Sequence, residues 1–298
     1  MTKISVVINT LNEEKNIEQA IRSVNWADEI IVCDMHSDDK TAEIAKKLGA
    51  KVILHEREGF VEPARNFAIS KASHEWILVL DADELIPDPL ATKLQNIASA
   101  NKFDVIKIPR KNIIFGKWMK ASMWWPDYNI RFFKKGMVSW GSEIHRPPKT
   151  TGLEDELPAT EDTAILHHNY GTVSQFIERM NRYTSIEAEQ LRKNGYKFSW
   201  KDLVTKPVDE FLSRFFAGHG FEDGVHGLAL SMLQAFSFLI VSLKVWEHEK
   251  FTEEQISLTD LEHEVKLKGQ DINYWFKYGN LSTDFVKSLL QKLRNKIS

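Results

Sequence analysis

The chain has 298 residues, of which 43% are hydrophobic and 27% are charged, as in an ordinary soluble globular protein. Its formal net charge of −3 provides no overall positive field, which argues against a general nucleic-acid-binding protein. The single cysteine, Cys33, excludes an internal disulfide framework and is typical of a reducing compartment. The N-terminal apolar run is too short for a signal peptide and is followed at once by acidic residues, so a cytoplasmic protein is predicted.

The first hundred residues alternate between strand and helix signals. Apolar runs predict strands over Ile4–Thr10, Glu29–Asp34, Lys51–His55, Trp76–Asp81 and Val105–Pro109. Helical spacing, capping residues and prolines predict helices over residues 12–24, 41–48, 63–72 and 87–98. Strands that are apolar throughout and separated by helices predict an α/β fold with a parallel, doubly wound sheet.

The pattern changes after residue 110. An irregular, aromatic and basic stretch (KWMKASMWWPDYNIRFFKKG) follows, and from Thr172 onward the apolar spacing becomes helical. The sequence therefore predicts an α/β domain over residues 1–170 and an α-helical C-terminal region over residues 171–298.

Polar side chains end three of the predicted strands, at Thr10, Asp34 and Asp81. Ligands of parallel sheets bind at the carboxyl ends of the strands. Asp81 and Asp83 lie two residues apart, so in extended chain they point the same way with Cα atoms ~6–7 Å apart. Such a pair can hold Mg²⁺ or Mn²⁺. The alternative is a pair of acids that only form a turn.

Phosphate binding by a glycine-rich loop is excluded, because neither G-x-x-x-x-G-K-[ST] nor G-x-G-x-x-G occurs. A metal and basic side chains must hold any phosphate instead. Arg65 is the candidate, because it lies at the start of a predicted helix, where the helix dipole also favours an anion. The alternative is an ordinary surface arginine.

Four segments together resemble the family 2 glycosyltransferases, which have the GT-A nucleotide-sugar fold: VVINTLNEE (6–14), EIIVCD (29–34), PARN (63–66) and WILVLDADE (76–84). Within that family the chain is most similar to the lipopolysaccharide-core β-1,4-glucosyltransferase group. This narrower resemblance depends on the looser motifs WPDYNIRFF (125–133), ILHHNY (165–170), GFEDG (220–224) and KVWE (244–247). The resemblance implies a mostly parallel sheet flanked by helices, with a C-terminal α-helical extension.

The resemblance also implies site residues, position by position. The residues of the nucleotide-sugar site are Thr10, Asn12 and Glu13 around the nucleoside, Asp34 on the base or ribose, Arg65 near the diphosphate or base, and Asp81 on the ribose or metal. Asp83 ligates the metal. His167, which begins a matching His-x-x-Tyr pattern, ligates the metal or contacts phosphate, or is simply a hydrogen-bonded histidine. Asp127 and Arg131 follow Trp124 and Trp125 in the sequence, and Trp125, Asp127 and Arg131 are predicted to shape the acceptor pocket, with tryptophan stacking on sugar faces. The alternative is that the aromatic residues belong to the core.

The chain departs from the related group at one point. Where that group carries Val-His-Glu, this chain reads Ile144-His145-Arg146. A guanidinium cannot accept a proton near neutral pH, but Glu143 shares a face with His145 in an extended segment. Glu143 is therefore predicted to be the base that deprotonates the acceptor, with His145 in support. The alternative is an ordinary polar strand.

The predicted function is that of an inverting, metal-dependent hexosyltransferase. It moves a hexose from a nucleotide-diphosphate sugar, a UDP-sugar, to a hydroxyl of a glycan or glycolipid in cell-envelope polysaccharide or lipopolysaccharide biosynthesis. One alternative is a sugar-binding scaffold without turnover, given the missing glutamate. The other is a sugar-phosphate nucleotidyltransferase, which would carry a glycine- and lysine-rich loop where this chain reads INTLNEE.

A 17-residue apolar stretch, Gly227–Leu243, raises the question of a membrane. Its length is at the lower limit for a helix that spans a membrane, and it contains Gln234 and three serines. A buried or interfacial helix is therefore expected rather than a membrane-spanning one. Upstream, an aromatic and basic face that could lie on the inner face of the plasma membrane is predicted from Arg214, its flanking residues Phe211, Leu212, Phe215 and Phe216, and the nearby Lys206. The alternatives are packing against the catalytic domain and packing against a second subunit in a homodimer.

Overall fold

The computed structural model describes residues 2–57, 62–141 and 147–278. The chain forms two compact units, one of residues 1–118 with 124–171 and one of residues 119–123 with 172–298. The boundary predicted after residue 170 lies one residue from this division, and the assignment of a nucleotide-sugar-binding catalytic domain to residues 1–170 stays a prediction.

The first unit is an α/β unit. Its strands are β1 (Ile4–Thr10), β2 (Glu29–Asp34), β3 (Lys51–Leu54), β4 (Trp76–Asp81), β5 (Glu84–Leu85), β6 (Val105–Ile114), β7 (Lys117–Trp118), β8 (Asp127–Lys134), β9 (Val138–Ser139), β10 (Lys149–Thr150), β11 (Glu154–Glu156) and β12 (Ile165–Tyr170). Its helices are α1 (Ile17–Ser23), α2 (Thr41–Lys47), α3 (Glu62–Ser70), α4 (Asp88–Ala100) and a 3₁₀ turn, Glu161–Thr163.

The main sheet has the strand order β3-β2-β1-β4-β8-β6-β12-β5, and β7 and β11 pair with β6. Strands β1 to β4 are mutually parallel, as β6 is to β11 and β12. Strand β8 is antiparallel to both β4 and β6, which departs from the wholly parallel sheet predicted from the strand pattern. The predicted α/β fold, a mostly parallel sheet flanked by helices and followed by C-terminal helices, is confirmed.

Strands β1 and β4 are apolar over most of their length because they are buried on both faces of the sheet. Every residue of β1 is buried, because helices cover both faces of the sheet. Val6 packs in a cluster with Ile17 of α1 and Leu90 of α4, whereas Val7 faces the other way and packs with Ala68 of α3. Helix α1 begins at Ile17 rather than at the predicted residue 12, because the residues before it form a loop with Asn12 in the left-handed region (φ 59°).

The second unit is helical in its described residues. Its elements are α5 (Val173–Lys193), α6 (Asp202–Leu212), a π-helical turn (Ser213–Ala217), a 3₁₀ turn (Gly220–Asp223), α7 (Val225–His248) and α8 (Leu258–Tyr278). The aromatic and basic face predicted upstream of α7 is packed within this unit. Phe211 stacks on Phe215, Phe216 is buried against Trp275, and Arg214 pairs with Glu210.

Helix α7 is apolar over most of its length. By length and composition it is the one helix of the described residues that is able to cross a membrane, with a mean hydropathy of 1.8 and 33% of the tested window buried. Large apolar side chains lie exposed at Val225, Leu228, Met232 and Phe236. These positions are spaced to share one face of the helix.

Close packing explains the GFEDG motif. Asp223 Oδ2 accepts hydrogen bonds from the backbone N–H groups of Lys120 and Ala121, both at 2.9 Å. A Cβ atom on Gly227, in the first turn of α7, would lie 1.8 Å from the carbonyl oxygen of Gly220. Only glycine therefore fits at position 227 without a shift of the backbone.

We expect Gly227→Ala to lower the free energy of unfolding by about 1–3 kcal/mol or more, because the added methyl group overlaps backbone atoms. Gly269→Ala is the matched control, since Gly269 lies within α8 and no atom approaches its Cβ position within 4 Å. The control should stabilise the protein by about 0.4–1 kcal/mol. Chemical denaturation followed by circular dichroism measures both, and equal stabilities would contradict the packing described.

Candidate active site

Strand register brings the predicted polar residues to one edge of the sheet. Asn9 of β1 lies beside Asp81 of β4, and Thr10 lies beside Asp34 of β2. Thr10 Oγ1 donates a hydrogen bond to Asp34 Oδ1 at 3.1 Å. The carboxyl ends of β1, β2 and β4 therefore form a single polar rim.

Asp34 and Asn12 organise the loops of this rim. The buried Asp34 carboxylate accepts bonds from Ser37 Oγ (2.6 Å) and Ser37 N (3.0 Å) in addition to Thr10. Asn12 Oδ1 accepts from Asp38 N at 2.8 Å, and Asn12 N donates to Ser37 Oγ. Glu13 N donates to Thr41 Oγ1 at the start of α2. These bonds tie the loop after β1 to the loop after β2, and a role for these residues in nucleoside binding stays a prediction.

Asp81 is paired with two arginines. Its Oδ1 accepts from Arg65 Nη2 at 2.6 Å, and its Oδ2 accepts from Arg131 Nη2 at 2.5 Å. Burial alone would raise the pKa of Asp81, but the charges of Arg131 and Arg65 outweigh it and hold the pKa well below its usual range. Asp81 is therefore a carboxylate, and its two oxygens already bind guanidinium groups.

The pairing continues into a buried network. Glu84 Oε1 accepts from Arg131 Nη2 (2.8 Å) and Arg110 Nη1 (3.2 Å). Arg110 also pairs with Asp127 Oδ2 at 2.7 Å. Among the described residues, the network thus combines three carboxylates with three guanidinium groups: Asp81, Glu84, Asp127, Arg65, Arg110 and Arg131.

Two residues predicted for the acceptor pocket, Asp127 and Arg131, belong to this network, and their contact with an acceptor stays a prediction. Arg131 is 3% exposed and pairs with Asp81 and Glu84, so its side chain lies beneath the rim rather than in an open pocket. Burial would raise the pKa of Asp127, but the charge of Arg110 and the bonds from Asn112 and Asn129 lower it. Asp127 is therefore a structural ion-pair partner and a poor proton acceptor.

Trp125 has a different environment from the other two predicted acceptor residues. Its ring is partly buried and meets Trp118 edge to face, with centroids 5.2 Å apart. Lys111 Nζ lies 4.6 Å from the centroid of the Trp118 ring. A partly exposed aromatic pair of this kind can stack on the apolar face of a sugar.

Asp83 and His167 face each other across the turn between β4 and β5. His167 Nε2 is 3.5 Å from Asp83 Oδ1, and His167 Nδ1 is 2.7 Å from Asn112 Oδ1. The Asn112 amide is fixed in this orientation because its Nδ2 donates to Trp124 O and Asp127 Oδ2. Nδ1 of His167 therefore carries the proton, and in the neutral ring Nε2 turns its lone pair toward the Asp83 carboxylate.

Two acceptors that face each other repel unless a proton or a metal cation lies between them. Mg²⁺ is usually bound by one or two carboxylates, with phosphate oxygens and water completing its shell. Asp83 provides such a carboxylate, and His167 Nε2 provides a further acceptor beside it. Over residues 2–57, 62–141 and 147–278 no group of three or more His, Cys, Asp or Glu side chains could hold a metal ion, and Asp81 is occupied by arginines. Asp83 and His167 thus fit a metal whose remaining ligands are phosphate oxygens and water.

Comparison with known proteins shows the family of this chain. The sequence model of glycosyl transferase family 2 matches residues 5–153. An uncharacterized glycosyltransferase of Rickettsia typhi is 33% identical over 307 residues, which span 98% of this chain and 97% of that protein. The chain belongs to glycosyl transferase family 2. The predicted family resemblance is therefore confirmed, and the protein is a transferase.

The chain is also similar to a further curated protein and to a solved structure. The lipopolysaccharide core biosynthesis glycosyltransferase LpsC of Rhizobium meliloti is 22% identical over 254 residues, covering 82% of this chain and 92% of that protein. Among solved structures, S. aureus TarS 1–349 in complex with UDP is similar with a TM-score of 0.45 and 15% identity, covering 86% of this chain and 94% of that chain.

Sequence reasoning missed several residues of this family 2 site. Asn9 is 7% exposed, and both of its amide atoms lack a hydrogen-bond partner among the described residues, as does Arg65 Nε. Because Asn9 lies in register with Asp81, these unsatisfied groups lie on the same face of the sheet. Asn9 could have been identified from the sequence, because it places an amide side chain near the end of an otherwise apolar strand. Glu84, Arg110 and Asn112 gave no comparable signal, because their partners are distant in sequence.

The predicted base and its neighbour, Glu143 and His145, lie outside the described residues. Their assignment stays a prediction from the sequence.

Proposed function

We propose that the protein is an inverting hexosyltransferase that uses a UDP-sugar and a divalent metal, Mn²⁺ or Mg²⁺. The observation that carries the proposal is the Asp83–His167 pair, in which the orientation set by Asn112 turns two acceptor atoms toward each other 3.5 Å apart. Asp83 and His167 would hold the metal. When bound, the metal stabilises negative charge on the departing nucleoside diphosphate.

The nucleoside would bind along the rim beside Asp81. Asn9 offers one donor and one acceptor there, the combination that a uracil edge requires, and neither atom has a partner among the described residues. Arg65 lies beside it and carries positive charge toward the phosphates, while Thr10, Asn12, Glu13 and Asp34 form the wall of the pocket. This arrangement supports a uridine nucleotide as the donor.

The acceptor hydroxyl must lose its proton as it attacks the anomeric carbon. Asp127 is unsuited to that step, because Arg110, Asn112 and Asn129 occupy its oxygens. Glu143 remains the proposed base, with His145 in support, and Trp125 is the proposed platform for the acceptor sugar. A single displacement of this kind inverts the anomeric configuration.

The acceptor is proposed to be a glycan or glycolipid of the cell envelope. The similarity to a lipopolysaccharide core biosynthesis glycosyltransferase supports this assignment. Membership of a transferase family and the intact Asp83–His167 pair favour turnover over a sugar-binding scaffold or a nucleotidyltransferase.

UDP should bind tightly only when Mn²⁺ or Mg²⁺ is present, because the diphosphate completes the shell around a metal held by two side chains. Isothermal titration calorimetry with UDP, in Mn²⁺ and then in EDTA, measures the difference. Equal affinity in the two buffers would contradict the metal site.

Asp83→Asn should abolish sugar transfer while the melting temperature stays that of the wild type. The loss of an anionic ligand removes stabilisation of the leaving group, an effect on the order of several kcal/mol. Asp155→Asn is the matched control, since Asp155 is an exposed residue of β11. Release of UDP from UDP-sugars gives the rates, and normal turnover by Asp83→Asn would rule out its role.

Glu143→Gln should lower kcat by ~10²–10⁴-fold, the usual effect of losing a general base, while UDP affinity is retained. His145→Gln should have a smaller effect. If Glu143→Gln turns over normally and His145→Gln does not, the base is His145.

We also propose that the protein is cytoplasmic and binds peripherally to the inner face of the plasma membrane through α7. The exposed row of Val225, Leu228, Met232 and Phe236 supports this proposal, with 80% of Val225 and 59% of Met232 accessible.

Co-sedimentation with phosphatidylglycerol vesicles tests the membrane proposal. The double variant Met232→Glu/Phe236→Glu should stay in the supernatant, whereas the wild type and the control Leu54→Glu, altered at an exposed apolar residue of β3, should sediment. Equal sedimentation of all three proteins would contradict the proposal. A double variant that instead changes a dimer into a monomer in light scattering would assign the row to a homodimer interface.

A further inference from the structure

The turn that carries Asp81 and Asp83 is held from the buried side by two residues. Glu84 Oε2 accepts the backbone N–H of Asp81 at 2.9 Å, and its Oε1 accepts from Arg131 Nη2 at 2.8 Å. Arg131 Nη2 also binds Asp81 Oδ2, while its Nη1 is 3.4 Å from Oδ1. The backbone and the side chain of Asp81 are thus joined through Glu84 and Arg131 in one closed ring of hydrogen bonds.

The same turn is fixed on its other side by β12. Glu84 is paired with His167 in the antiparallel register of β5 and β12. The backbone N–H of His168 donates to the carbonyl oxygen of Asp83 at 2.9 Å. A change in the position of Glu84 therefore shifts Asp83 relative to His167, the two groups that face each other at 3.5 Å.

We infer that Arg131 and Glu84 are positioning residues for the metal–nucleotide complex, which they serve by fixing the Asp81–Asp83 turn. The inference depends on the proposed function, since it concerns how the metal ligands are oriented. Glu84 is fully buried and Arg131 nearly so, and their side chains bind Asp81 rather than the substrate.

The chemistry of the ring requires arginine at position 131. One planar guanidinium directs N–H groups at two carboxylates at once, which the single ammonium group of lysine cannot reproduce in the same geometry. Loss of the pairing would also leave buried carboxylates without a matched partner, so the turn would move to regain water or a new partner. Arg131→Lys keeps the positive charge but removes the planar arrangement of N–H groups that binds both carboxylates.

The experiment compares Arg131→Lys and Glu84→Gln with the wild type. Mn²⁺ binding in the presence of UDP is followed by electron paramagnetic resonance of free Mn²⁺, and binding is expressed per folded molecule from thermal denaturation. Residues that orient metal ligands typically contribute 10–100-fold to metal affinity, so Mn²⁺ binding should weaken by about that factor. The KM for the donor should rise, while the KM for the acceptor stays unchanged.

The exposed Arg22–Glu18 pair provides the matched control. Its atoms are 2.8 Å apart on the surface of α1, so Arg22→Lys and Glu18→Gln make the same chemical changes away from the site and should leave Mn²⁺ binding unchanged. Should Arg131→Lys not fold, Glu84→Gln decides the outcome, because it keeps the size of the side chain and one acceptor oxygen.

Two results would overturn the inference. One is wild-type Mn²⁺ affinity in the folded fraction of either variant, which would make the ring a stabilising feature only. The other is an equal rise of both KM values, which would indicate a general distortion. If the proposed metal-dependent function is wrong, the wild type itself binds UDP equally well in Mn²⁺ and in EDTA. This result is distinct from any result obtained with the variants.

Discussion

The buried pairing of Asp81 with Arg131 is the interaction on which the carboxyl edge of this sheet depends. Strand β4 runs through the core and ends in acidic residues, and an uncompensated carboxylate there would cost several kcal/mol of folding free energy or become protonated. Arg131 reaches Asp81 from β8, and Arg65 reaches it from α3. The carboxylate can stay ionised at the end of a buried strand because two fixed cations meet it.

The antiparallel strand β8 makes this pairing possible. It lies between β4 and β6, and this position brings Arg131 within hydrogen-bond distance of Asp81 at the end of β4. The first hundred residues could be predicted because their strands and helices follow from local periodicity. The place of β8 could not, because it depends on pairings between distant segments: Arg131 and Asp81 are 50 residues apart.

In the candidate site too, features that follow from local sequence could be predicted, and features that depend on distant segments could not. Asp83, Asp81 and Thr10 were predictable because each follows an apolar strand, and strand ends of a parallel sheet share an edge. The pairing of Arg131 with Asp81 and Glu84 could not be predicted, since motif similarity indicates that a residue matters without indicating what it contacts. Asn112 was missed altogether, although its amide contacts His167, Trp124 and Asp127 at once. No local pattern identifies a residue whose importance arises only when three distant segments meet.

The balance of charge beneath the rim has a consequence for how such a protein persists in a cell. Where metal ligands are themselves buried unpaired charges, the metal is needed for folding and its removal denatures the protein. Here the buried carboxylate Glu84 and the partly buried carboxylates Asp81 and Asp127 are matched by guanidinium groups that belong to the chain. These three carboxylates are thus neutralised before any ion arrives. Under the proposed metal-dependent function, a cell depleted of the metal would keep a folded, inactive pool of the protein, and activity would return with the metal, without new synthesis.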